Sequence, residues 1–108
     1  MLFDGMSYWK FSISIAMACC KRSRPTEGAA PRSVGAYVCN VLEIATGRHL
    51  DVQLMRYRVT TKIPLLITDG DGANRLLWYY PTQTDAEFAE SLAEMLCDLP
   101  ISHACATA

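Results

Sequence analysis

The sequence predicts an α+β fold: an antiparallel β-meander sheet of about five strands, with one C-terminal amphipathic helix packed on one face. Three observations predict it. Apolar residues alternate at period two from Trp9 onward, as in half-buried strands. Asp69-Gly70-Asp71-Gly72 separates two short apolar runs, a strong hairpin signal. Thr84-Asp85-Ala86-Glu87 is a capping box that opens a stretch of helical periodicity.

The first strand is predicted over 7–19. Trp9, Phe11, Ile13, Ile15, Met17 and Cys19 share one face; Tyr8, Lys10, Ser12, Ser14, Ala16 and Ala18 share the other. Ala16 and Ala18 before Cys19 also fit a signal-cleavage step. Against that reading, Asp4 lies where a basic leader belongs, and Ser12 and Ser14 interrupt the apolar run. The alternation favours the strand. From Lys21 to Ser33 the chain is polar and punctuated by Gly and Pro, which marks a long loop.

A second strand is predicted over 34–46, with Val34, Ala36, Val38, Leu42 and Ile44 on one face and Asn40 as the exception. Thr46-Gly47-Arg48 is a turn. The third strand, 49–60, shifts its apolar phase between Leu54 and Met55, as one extra residue in a β-bulge would cause. The fourth is 63–68, with Pro64 at an edge or outside the ladder. The fifth is 74–80. The helix is predicted over 85–98, with Phe88, Leu92, Met95, Leu96 and Leu99 on one stripe and Pro100 enforcing the stop.

At 108 residues, 51% hydrophobic and 19% charged, the chain is expected to fold as a single domain, 1–108. No apolar run approaches the ~18 residues of a membrane span. Net charge is −1, which does not mark a polyanion binder as a whole. The charge is nevertheless divided: from Thr82 onward there are acids and no Lys or Arg, so the remainder is net basic. Five cysteines without CxxC spacing read as reduced thiols, and the expected compartment is cytoplasmic.

Motifs for chemistry are missing. Asp69-Gly70-Asp71-Gly72 fails as a calcium loop, since Ala73 and Tyr80 stand where ligands belong. His49 and His103 are the histidines, with no GxSxG, HExxH or glycine-rich phosphate loop. His49 reads as an exposed structural residue. Cys97, His103 and Cys105 lack recognised zinc spacing, and Cys105-Ala106-Thr107-Ala108 is a poor prenylation box. The expectation is no catalysis, no cofactor and no metal.

What remains is surface. Strands with apolar residues on both faces need more cover than one helix gives, so a second copy or another protein is expected as partner. Trp78 is assigned to the core beneath the helix and Tyr79 to the surface, as an interface anchor. Arg56 and Arg58 join it, with Lys21, Arg22 and Arg24 of the long loop. Glu87, Glu90 and Glu94 form an acidic helix face suited to a basic partner. The function expected is a non-catalytic protein-interaction module, an adaptor or inhibitor of the virus- or plasmid-accessory kind, acting by surface occlusion. The alternative is nucleic-acid binding by a basic, aromatic sheet face and the 21–32 loop.

Overall fold

The computed structural model describes residues 5–55 and 61–99. Along the chain lie α1 (Gly5–Cys19), α2 (Pro31–Thr46), β1 (Asp51–Leu54), β2 (Ile63–Thr68), β3 (Asn74–Tyr79) and α3 (Asp85–Asp98). The class is α+β with an antiparallel meander, ordered β1-β2-β3. Among the described residues the sheet has three strands rather than five, because the two segments expected to be the first two strands are helices.

In 5–19 the residues that reach the core are Trp9, Ile13 and Ala16, with Met6, Tyr8 and Met17 half-buried against it. That is helical spacing. Trp9, Ile13 and Met17 are all odd-numbered, so they satisfy period two as well as a helical stripe. Phe11 and Ile15, which a strand would bury beside them, are 67% and 47% exposed.

In α2 the buried positions are Val34, Tyr37, Val38, Val41, Leu42, Ala45 and Thr46, again a helical stripe. Pro31 sits in the first turn, where its missing N–H costs nothing. Gly47 closes the helix at φ 71°, its amide donating to the Glu43 carbonyl at 2.9 Å. The expected turn at Gly47 is therefore a helix end.

β1 pairs with β2 in a register that sets Asp51 opposite Thr68 and Leu54 opposite Leu65. The Met55 amide donates to the Pro64 carbonyl at 3.0 Å, which continues that register. No extra residue stands between Leu54 and Met55, so the expected bulge is absent there. The rest of the expected third strand, 56–60, lies outside the described residues. β2 and β3 pair from Ile63 opposite Tyr79 to Thr68 opposite Asn74. Their turn is closed by Gly72 N–H to Asp69 carbonyl at 3.0 Å, with Gly72 at φ 88°, and by Asp69 Oδ1 accepting the Asp71 amide.

α3 matches its sequence. Thr84 Oγ1 accepts the Glu87 amide, and Glu87 Oε1 accepts the Thr84 amide at 2.8 Å. The expected stripe is buried, and Leu99 takes the extended conformation that Pro100 requires. α2 packs on β1 and α3 on β3, while α1 packs against α2 and α3. Where these layers meet, the Phe88 ring lies 5.9 Å from Tyr37 and 5.5 Å from Tyr79. Among the described residues no helix is long and apolar enough to cross a membrane.

Candidate functional site

The register fixes which side chains share each face of the sheet. Leu65, Ile67, Leu77 and Tyr79 point inward, and all are buried. Leu66, Leu76, Trp78 and Tyr80 point outward, away from the helices. Leu76 is 44% and Tyr80 38% exposed, and Trp78 and Leu66 are half-buried. Lys62 lies over this face, its Nζ 4.3 Å from the Trp78 ring centre and 5.9 Å from that of Tyr80. Asp51, paired with Thr68, belongs to the same face at its opposite end. Among the described residues this face thus has an apolar centre, which includes the buried Pro64, with a cation at one end and an acid at the other.

The expected assignment of β3 is inverted. Tyr79, expected at the surface as an anchor, is fully buried; Trp78, expected in the core, faces out. Both sides of the strand are apolar, and helix packing decides between them.

Tyr79 instead holds the long loop. Its hydroxyl donates to the Pro25 carbonyl at 2.6 Å and accepts from Arg24 Nη1 at 3.3 Å. Arg24 Nε donates to Asp85 Oδ1 at 2.7 Å, Nη2 donates to the Gln83 carbonyl, and the guanidinium lies 5.7 Å from the Phe88 ring centre. Arg24 is thus engaged chiefly within the fold, at the wall of a concavity. Lys21 and Arg22 are exposed and line a concavity of about 750 Å³ with Met17, Tyr37 and Asp85. Arg56 and Arg58 lie outside the described residues. Glu90 and Glu94 are exposed on α3, whereas Glu87 is engaged in the capping box.

Tyr8, Lys10, Ser12 and Ser14, expected on a sheet face for nucleic acid, lie on a helix and do not share one face, although Ser14 lines the same concavity as Lys21 and Arg22. Arg24 of the loop reaches the inward-facing Tyr79, behind the sheet.

Burial pushes the Tyr37 hydroxyl up to about 12, helped by the nearby Cys20 and Asp85. Burial also raises Tyr79, against the opposing pull of Arg24. An unfolded tyrosine ionises near ~10, so these raised groups stabilise the fold fully below that pH and lose their effect as pH rises through their folded values. Stability is expected to fall between pH ~10 and about 12, by ~2–3 kcal/mol for Tyr37. Urea midpoints across this range check it, and Tyr37→Phe should flatten the slope.

Comparison with protein-family models, with curated proteins and with solved structures returns no match to the chain.

Proposed function

We propose that the protein is a non-catalytic protein-interaction module whose open sheet face binds a second copy of the chain. The observation that carries this reading is the polarity of that face: apolar at its centre, Lys62 at one end, Asp51 at the other. Two such faces stacked about a two-fold axis across the strands place Lys62 over the Asp51–Thr68 end of the second copy. Leu66, Leu76, Trp78 and Tyr80 then cover one another.

The pairing leaves Glu90, Glu94, Lys21 and Arg22 on the outside, free to meet a target whose surface the dimer would occlude. Thiols at Cys19, Cys20 and Cys39 suit a reducing compartment such as the cytoplasm.

Light scattering and sedimentation at rising concentration test the proposal. Strands of four to six residues in a three-stranded sheet give a face of at most roughly 20 by 14 Å. That is small beside standard interfaces, so dissociation is expected in the micromolar range. High salt should weaken the dimer only slightly, since its centre is apolar. Lys62→Glu should weaken it about tenfold, and adding Asp51→Lys should restore it. A monomer at every concentration and salt overturns the reading.

A further inference from the structure

The C-terminal half of α2 carries Cys39 and Glu43 four residues apart, so both side chains leave the same helix face. Gly47 then reverses the chain, and the fully buried Leu50 pins its return. His49, between them, is carried back over the helix. Its Nδ1 lies 2.7 Å from Glu43 Oε2. One ligand atom from each of Cys39, Glu43 and His49 lies within 4.8 Å of the other two. The Cys39 thiol has a long 3.7 Å contact with the Leu50 carbonyl.

We infer that Cys39, Glu43 and His49 form a zinc-binding site with three protein ligands, a water completing the tetrahedron. Sulfur, imidazole and carboxylate are the donors that zinc takes, and three of them with an open fourth position is a known coordination pattern. Calcium and magnesium want oxygen alone, so the thiolate selects against them. Bond lengths of ~2.0–2.3 Å separate tetrahedral ligand atoms by roughly 3.3–3.8 Å. The present spacing, from the 2.7 Å contact to the 4.8 Å limit, brackets that range, so side-chain rotation can close the site.

The helix supplies a second reason. Glu43 lies in the last turn of α2, where the carbonyl ends carry partial negative charge, and no basic residue offsets it in that turn. A dication held by the Glu43 carboxylate and the Cys39 thiolate neutralises that unfavourable charge. Burial, with Glu43 and Asp51 adding to it, raises the Cys39 thiol, which is therefore protonated at neutral pH. Binding breaks the S–H bond, forms the zinc–sulfur bond and passes the proton to buffer.

The site was hidden from the sequence because 34–46 reads as a strand. In that form Cys39 and Glu43 share a face but stand ~13 Å apart. The helix brings them together.

Titration of the intact chain with cobalt, then zinc, tests the site. One equivalent of cobalt should give a thiolate charge-transfer band that zinc displaces, and zinc should raise Tm. Cys39→Ser should abolish the band and the Tm shift. His49→Ala should weaken zinc by more than the ~10–100-fold typical of losing an outer-shell partner. The Cys19→Ser/Cys20→Ser pair should retain both signals. Unchanged circular dichroism in each variant separates lost ligation from lost folding. The inference is overturned if wild type gives no band, or if the band survives Cys39→Ser. A helix-end contact between His49 and Glu43 would then be all the cluster does.

Discussion

Trp9→Ala is expected to cost about 3–5 kcal/mol, while Phe11→Ala, two residues on, stays within ~0.5 kcal/mol. Trp9 is 2% exposed and meets the Tyr8 ring edge-on at 5.0 Å. Truncating it leaves a large void between α1 and the helices beneath. Phe11 is 67% exposed and loses little. Small domains hold only ~5–15 kcal/mol in total, so Trp9→Ala should bring the protein close to unfolding at room temperature. Urea unfolding followed by circular dichroism measures both variants. Equal costs at the two positions would return the segment to a strand, since a strand buries Trp9 and Phe11 on one face.

Arg24→Met is expected to cost about 2–3 kcal/mol, a large effect for a residue in a loop. The methionine keeps the apolar stem but strands the Gln83 carbonyl and leaves the Tyr79 ring without its cation. Asp85 contributes little of this. Its side chain is 75% exposed against 13% for Arg24, and pairs so open to water are worth ~1 kcal/mol or less. Asp85→Asn should therefore cost less than Arg24→Met. Arg24→Lys should not rescue, because an ammonium cannot reach Asp85, Gln83 and Tyr79 from one planar fork. Urea midpoints of the three variants decide it. If Asp85→Asn matches Arg24→Met, the ion pair and not the buried hydrogen bonding holds the loop.

How far the sequence could be read varies by element, for physical reasons. α3 and the β2–β3 hairpin are set by local chemistry, a capping box and an Asp-Gly turn, and both lie where expected. α2 had local signals too. Asn40 breaks the alternation, and Pro31 and Gly47 stand at the positions that helices favour. α1 is ambiguous by number alone, since Trp9, Ile13 and Met17 fit both periods. Which face of β3 turns inward is not a local property, because Leu77 and Tyr79 compete with Leu76, Trp78 and Tyr80 on nearly equal terms. The candidate face was legible as an excess of apolar residues and not as particular residues. Lys62 became visible only once pairing placed it over Trp78.

α1 is made first and α3 last among the described elements, yet they pack together. On a ribosome, the Trp9 and Ile13 stripe must wait for α3 to emerge. At ~5–20 residues per second that delay lasts several seconds. During it the nascent chain holds an unsatisfied greasy helix, and α2 alone can shield part of it. Newly synthesised protein is therefore most open to chaperones, and to clumping with its neighbours, before synthesis reaches the second half of α3.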